Sequence, residues 1–154
     1  MRLLLDVNVW VALLDDAHVF SEQANALIET RGVRIATCPL IENGVIRVMN
    51  SPSYGRRGAV GLRVVRQRLQ EACRALDHEF WPDDLSLRDD DRVDFDRIHG
   101  PSQLTDVYLL ALATEHGGSL ASLPVPPILN ASSMPLGGGR RIHSLVVAMP
   151  IEPP

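Results

Sequence analysis

Short apolar segments alternate with segments of helical periodicity along most of this chain, and this alternation constrains the fold more than any other feature. Most of the apolar segments are rich in leucine, valine or isoleucine, which is typical of strands buried in a parallel sheet. The strands are predicted at residues 2–5, 33–37, 79–81, 119–123 and 142–149. The helices are predicted at residues 10–14, 21–30, 39–49, 59–76 and 105–116. Strands that alternate with helices predict an α/β fold, with a central and mostly parallel sheet flanked by helices.

The length and composition indicate one globular domain. We expect it to span residues 1–149 of the 154 and to be followed by a proline-rich tail at 150–154. The net charge of −4 argues against binding to nucleic acid through bulk positive charge. The two cysteines form no CxxC motif, and we see no signal peptide and no apolar stretch of the about 20 residues that cross a bilayer. These features predict a cytoplasmic protein without a membrane partner.

Three acidic residues occupy positions that predict apolar surroundings. Asp6 directly follows the first apolar run, and Glu42 and Asp106 fall on the apolar faces of the helices predicted at 39–49 and 105–116. A buried carboxylate is costly unless it is paired, hydrogen-bonded or neutralised. A divalent cation such as Mg²⁺ binds carboxylate oxygens and neutralises them together. The three acids therefore predict a metal site.

Each of these polar residues also has a structural interpretation. Thr105 or Asp106 can cap the start of its helix, and Glu42 can pair with Arg47. Asn8 can orient a carboxylate or a metal-bound water, or it can cap the first helix. Three acids on three separate elements favour the metal site over three unrelated structural roles.

Four stretches of the sequence resemble the PIN-domain nucleases and, within them, the toxins of VapC-type toxin–antitoxin pairs. The matching stretches read LLLDVNVWVALL, TCPLIENGVIRVMNSP, FWPDD and LTDVYLLALATEHGGSLAS, at residues 3–14, 37–52, 80–84 and 104–122. Each fragment is weak by itself, but the four occur in the family's order and at its usual spacing. They extend over most of the chain before residue 123.

The resemblance implies a ribonuclease and assigns roles to the residues. It implies an endoribonuclease that depends on Mg²⁺ or Mn²⁺, with Asp6, Glu42 and Asp106 as catalytic, metal-binding acids. Asn8 and Thr105 match polar positions beside those acids that position water or substrate. The resemblance also implies RNA as the substrate, a homodimer, and a cognate antitoxin whose C-terminal segment covers the active-site groove.

One stretch departs from the family pattern. Many family members carry a fourth acid just after the strand that follows HGG, whereas this chain has Pro124 there and no carboxylate anywhere in residues 117–129. The departure supports an alternative function, a weakly active or inactive PIN-fold module that only binds an antitoxin or RNA. Retention of the other three acids argues for the nuclease, because carboxylates buried without a metal would destabilise the fold.

Arginines on the helix predicted at 59–76 indicate a surface for binding. Arg63, Arg66 and Arg74 fall on one stripe that borders the apolar stripe, and this stripe can contact RNA phosphates or an acidic antitoxin segment. Arg47 belongs to the same set of possible contacts. All 15 basic residues are arginines, which suits phosphate contacts, although biased codon usage explains the bias as well.

Two other enzyme classes remain open from the residues alone. Asp6 at a strand end is also typical of phosphoryl-transfer enzymes with an aspartyl nucleophile. Those enzymes usually have a second acid where Asn8 stands and a downstream lysine, and this chain contains no lysine. The second possibility is a PIN nuclease that acts on DNA or on ribosomal precursors outside any toxin pair.

Overall fold

The computed structural model describes residues 2–54, 58–89, 92–93, 95 and 98–123. Within these residues the strands are β1 (Arg2–Leu5), β2 (Arg34–Thr37), β3 (His78–Phe80) and β4 (Ser119–Ala121). The α-helices are α1 (Val7–Leu14), α2 (Ser21–Glu29), α3 (Pro39–Met49), α4 (Leu62–Ala75) and α5 (Leu104–Glu115). The strands form a sheet in the order β3-β2-β1-β4, and every adjacent pair is parallel. The predicted α/β fold with a parallel central sheet is confirmed.

The parallel strands place all of their carboxyl ends at one edge of the sheet. Leu5 is in register with Ala121, and the N–H of Asp6 donates to the carbonyl of Ala121 at 2.9 Å. On the other side, the N–H of Trp81 donates to the carbonyl of Thr37 at 2.8 Å. Ligands of α/β sheets bind beyond this edge. The residue that follows each strand therefore lies where a ligand would bind.

The core is formed by β1, the adjoining strands and the inner faces of α1, α3 and α5. The three leucines of β1 are at most 1% exposed, and every residue of α5 from Val107 to Ala113 is buried. Burial of a leucine side chain contributes about 1.5–3 kcal/mol to folding, so β1 and α5 contribute strongly to the apolar stabilisation. Trp10 and Trp81 are 0% and 2% exposed, so both belong to the core.

Two helices begin earlier than the sequence predicts, and this changes the roles of their first residues. Helix α1 begins at Val7 rather than at residue 10, because the Asp6 carboxylate accepts the N–H of Val7 and caps the helix. The alternative that Asn8 is the N-cap is therefore wrong. Helix α5 begins at Leu104, directly after a 3-10 turn at Pro101–Gln103, so Thr105 and Asp106 lie in its first turn. The alternative that one of these two is the N-cap is also wrong.

Helix α4 is shorter than predicted and its apolar stripe is narrower. The helix covers Leu62–Ala75 rather than 59–76. Val65 and Leu69 are buried, whereas Leu62, in the first turn of the helix, is 57% exposed.

The remaining differences concern strand ends and the C-terminal part of the chain. Strand β3 lies one residue earlier than predicted, and β4 ends at Ala121 rather than at residue 123. The strand predicted at 142–149, the tail at 150–154 and Pro124 lie outside the described residues. In the part of the chain that the structure describes, no helix is both long enough and apolar enough to span a bilayer.

Candidate active site

Asp6 lies at the carboxyl edge of the sheet, between β1 and α1. Its Oδ1 accepts the N–H of Val7 at 2.6 Å, and its Oδ2 accepts the hydroxyl of Ser122 at 3.1 Å. Burial raises the pKa of Asp6 above its ordinary value, although both hydrogen bonds act in the opposite direction. Among the described residues, no arginine or histidine forms an ion pair with Asp6.

Asp106 approaches the same edge from the first turn of α5. Burial, and then the negative charge of Asp6, raise the pKa of Asp106 to about 6. The second cause means that the carboxylates of Asp6 and Asp106 are close enough to repel each other. A cation between two such carboxylates removes that repulsion, and Mg²⁺ needs only one or two protein carboxylates beside its waters. The pair therefore fits a divalent metal ion.

Glu42 lies in the first turn of α3 and has different partners. Its Oε1 accepts the hydroxyl of Thr37 at 2.9 Å, and the Thr37 hydroxyl also lies 2.8 Å from Nε2 of His78. Arg47, the structural partner that the sequence offers for Glu42, is exposed in the last turn of α3, and no ion pair joins the two described side chains.

The three predicted acids do not form one compact cluster in the described structure. Within the residues described, no three histidine, cysteine or acidic side chains lie close enough to hold one metal ion together. The structure brings Asp6 and Asp106 together, while Thr37 holds the carboxylate of Glu42.

The polar residues near the aspartates differ in how accessible they are. Asn8 and Thr105 lie in the first turns of α1 and α5, and both are exposed to solvent. Ser122, which the sequence prediction did not single out, donates the only described side-chain hydrogen bond to Asp6. The available signal was its position as the first residue after β4, beside the end of β1.

A close contact between α1 and α3 fixes the position of the helix that carries Glu42. A Cβ atom at Gly44 would lie 2.5 Å from Cγ2 of Val7, closer than real side chains approach. Only glycine lets the backbone of α3 pack this tightly against Val7, the residue after Asp6.

Asp83 connects the two other helices of the site. Its Oδ2 accepts the N–H of Leu40 at 3.0 Å, so it caps α3 from a distant part of the chain. Burial, and then the charge of Asp83, raise the pKa of Tyr108 in α5 to about 12. Asp83 thus contacts both α3, which carries Glu42, and α5, which carries Asp106.

An open groove on α4 is rich in arginine. Arg63, Arg66 and Arg74 line it, as their helical spacing predicts, together with two glutamines and Glu71. Glu71 accepts a hydrogen bond from Gln67 at 2.8 Å, and in the described structure the three arginines form no ion pair. The groove is therefore positively charged in a protein whose net charge is negative. Arg47, on α3, does not line it.

Comparison with known proteins places this chain in a family. The PIN domain family model matches residues 3–123. Ribonuclease VapC44 of Mycobacterium tuberculosis is 43% identical over 119 residues, which are 77% of this chain and 82% of that protein. Ribonuclease VapC38 of the same species is 39% identical over 121 residues, covering 77% of this chain and 82% of its own length. Ribonuclease VapC29 is 35% identical over 123 residues, covering 80% of this chain and 86% of its own.

A solved structure is also similar. The complex described as VapBC2 from Rickettsia felis bound to a DNA fragment from their promoter aligns with a TM-score of 0.48 and 15% identity, over 79% of this chain and 86% of that chain. The family model and the curated relatives each cover more than three quarters of the chain. This chain therefore belongs to the PIN-domain family and, within it, to the VapC-type ribonucleases.

Proposed function

We propose that this VapC-type toxin is an endoribonuclease that hydrolyses RNA phosphodiester bonds with Mg²⁺ or Mn²⁺ held by Asp6 and Asp106 and with Glu42 as the third acid. PIN-domain VapC nucleases generally depend on a divalent metal ion. The observation that carries the assignment here is the pair Asp6–Asp106, whose carboxylates repel each other and, among the described residues, have no cationic partner.

Each residue of the site has a definite task in this reaction. A bound divalent ion lowers the pKa of a coordinated water and offsets charge on the phosphate. Asp6 and Asp106 supply the carboxylate oxygens, and Ser122 fixes the orientation of Asp6 through its hydroxyl. Asn8 and Thr105 are exposed beside the two aspartates and can donate hydrogen bonds to water or to a phosphate oxygen.

The inactive binding module is the less favoured function. A carboxylate pair with raised pKa destabilises the fold unless a ligand neutralises it, so its presence is typical of a working site. Ser122, directly after β4, already donates a hydrogen bond to Asp6 two positions before the missing fourth acid.

The first experiment measures cleavage of total cellular RNA by the purified chain, with Mg²⁺, with Mn²⁺ and with EDTA. We expect defined cuts that need metal, and a loss on the order of 100-fold or more in Asp6→Asn. Asp15→Asn is the matched control, since Asp15 lies at the opposite end of the same helix. Folded protein that leaves the RNA intact at every metal concentration would favour the binding module.

The arginine groove is proposed to contact the RNA backbone. The three arginines on this helix form no ion pair with another described residue, so they can neutralise phosphates that the acidic site would otherwise repel. Replacing Arg63, Arg66 and Arg74 with glutamine should weaken RNA binding several-fold and flatten its dependence on salt. Arg31→Gln, an exposed arginine outside the groove, is the control. An unchanged RNA affinity together with weaker antitoxin binding would reassign the groove to the antitoxin.

A cognate antitoxin, a homodimer and a cytoplasmic location complete the proposal. Membership in the VapC-type ribonucleases supports the antitoxin, and exposed apolar residues on α3 and α4 offer it a surface: Leu40, Val48, Leu62 and Val64. Cys38 and Cys73 are free thiols, which is compatible with a reducing compartment. Light scattering should give twice the mass of the chain, and the protein encoded beside the toxin gene should inhibit cleavage.

A further inference from the structure

Thr37 lies at the centre of a three-residue hydrogen-bond chain that ends on Glu42. Thr37 is the last residue of β2 and is 0% exposed. Its hydroxyl oxygen lies 2.9 Å from Oε1 of Glu42 and 2.8 Å from Nε2 of His78, the first residue of β3. Three elements, β2, β3 and α3, therefore meet at one buried hydroxyl.

The direction of the hydrogen bonds follows from the number of protons. A carboxylate oxygen has no hydrogen to donate, so the single hydroxyl proton of Thr37 is donated to Glu42. The Thr37 oxygen must then accept from His78, which places a hydrogen on Nε2. The chain runs from His78 Nε2–H to the Thr37 oxygen, and from the Thr37 O–H to Glu42.

The surroundings of Glu42 make this chain the determinant of its orientation. Cys73 of α4 also faces Glu42, since burial and then the charge of Glu42 raise the pKa of that thiol to about 11. A protonated thiol is a weak hydrogen-bond donor, so Cys73 holds the carboxylate of Glu42 poorly. Thr37 makes the side-chain hydrogen bond to Glu42 in the described structure, and it leaves the second carboxylate oxygen free.

We propose that Thr37 and His78 are positioning residues that fix Glu42 as the third acid of the site, with Thr37 donating to Oε1 and His78 donating to the Thr37 hydroxyl oxygen. The proposal rests on the proposed function, in which Glu42 is the third acid of the metal site. Hydrogen-bond partners of metal ligands typically change metal affinity or activity about 10–100-fold when they are removed. Thr37 itself touches neither the metal nor the RNA in this proposal.

The test compares Thr37→Val, which removes the hydroxyl at nearly constant shape, with Thr37→Ser, which keeps it. Binding of Mn²⁺ to the full chain without RNA is measured by electron paramagnetic resonance, and the Mn²⁺ concentration for half-maximal RNA cleavage is measured in parallel. We expect Thr37→Val to weaken both about 10-fold and Thr37→Ser to remain within about 3-fold of the native chain. Thr30→Val is the control, because the Thr30 hydroxyl bonds only to the carbonyl of Ala26 in an exposed helix end.

A second pair of variants keeps the test decisive if Thr37→Val does not fold. His78→Gln retains a side-chain N–H that can reach Thr37, whereas His78→Leu does not. We expect His78→Leu to weaken Mn²⁺ binding several-fold and His78→Gln to restore most of it, with equal melting temperatures for the two. Equal metal affinities for His78→Leu and His78→Gln would overturn the role of His78, and a native affinity in Thr37→Val would overturn the proposal as a whole.

The controls distinguish failure of the positioning role of Thr37 and His78 from failure of the proposed function. If the native chain neither binds Mn²⁺ nor cleaves RNA, the metal-dependent nuclease is wrong and the positioning role is wrong with it. If the native chain does both and Asp6→Asn does neither, the nuclease stands. Unchanged Thr37 and His78 variants would then refute the positioning role alone.

Discussion

The two ends of helix α1 carry aspartates whose electrostatics run opposite to the helix dipole. Asp6 precedes the N-terminus, where the dipole favours a negative charge, yet burial raises its pKa. Asp15 follows the C-terminus, where the dipole disfavours a negative charge, yet a hydrogen bond from the hydroxyl of Tyr54 at 2.6 Å lowers its pKa. His18 and Arg68 lower it further through their charges.

The difference distinguishes a carboxylate that the protein itself stabilises, Asp15, from one that is proposed to bind a metal, Asp6. Asp15 receives a donor and nearby positive charge from the protein itself, and Arg68 also donates to the carbonyl of Leu14 at the same helix end. Asp6 receives two hydrogen bonds but has another carboxylate, Asp106, as its charged neighbour. Among the described residues no cation pairs with Asp6, which supports the proposed metal site.

The largest expected effect is stabilisation by the metal at the Asp6 end. Mg²⁺ or Mn²⁺ at 100 times its dissociation constant should add about 2.7 kcal/mol to the free energy of unfolding. Asp106→Asn should remove most of this gain, whereas Asp15→Asn should keep it. Thermal unfolding with and without metal measures the difference, and a gain that survives in Asp106→Asn would refute the assignment of that carboxylate.

The next effect comes from the contact between α3 and the start of α1. Gly44→Ala forces a Cβ to 2.5 Å from Val7, and overpacking of this kind costs about 1–3 kcal/mol. Alanine has a better helix propensity than glycine by about 1 kcal/mol, so the net loss should be about 0–2 kcal/mol. Gly61→Ala, which meets no atom within 4 Å, is the control. Metal affinity should fall in the first variant and stay native in the second.

The Asp106 carboxylate should also make the metal-free protein sensitive to pH. Its pKa is about 6 in the folded chain and 3.8 as the ordinary value, so between these values the folded state binds more protons than the unfolded state. The contribution of Asp106 to the free energy of unfolding is therefore largest below about pH 4, and it is lost as the pH rises through 6. Solvent screening of the partly exposed group reduces the loss to about 1 kcal/mol.

Urea unfolding in EDTA at several pH values tests this direction. Asp106→Asn should lose less stability than the native chain between pH 4.5 and 7, by roughly that amount. Parallel pH profiles for the two proteins would mean that the pKa of Asp106 is not raised in the folded chain.

The sequence predicts the parts of this site that depend on local pattern. Asp6 is recognisable because a charged residue directly follows a buried apolar run, and Asp106 because it lies on the inner side of an apolar helix. The alternation of strands and helices also suffices to predict the parallel sheet and the edge at which these residues lie.

The partners of those acids depend on the register of distant strands, which no local pattern encodes. Ser122 reaches Asp6 across 116 residues of sequence, and His78 reaches Thr37 across 41. Asp83 caps α3 across 43 residues, although Cys38 precedes that helix directly. A serine, a histidine and an aspartate are common on protein surfaces, so only the fold gives these three their roles.

The smallest expected effect is at the C-terminal end of α1, where Asp15 lies. Tyr54→Phe removes the hydrogen bond to Asp15 and should lower the free energy of unfolding by about 1 kcal/mol or less at neutral pH. Because the pKa of Asp15 is lowered in the folded chain, this contribution is present above pH 4 and disappears as the pH falls through the folded value. Metal affinity and RNA cleavage should stay native in this variant, since the lost hydroxyl bonds to Asp15, at the opposite end of α1 from Asp6. A loss of metal binding in Tyr54→Phe would mean that the two ends of α1 act as one unit, and that the distinction between Asp15 and Asp6 does not hold.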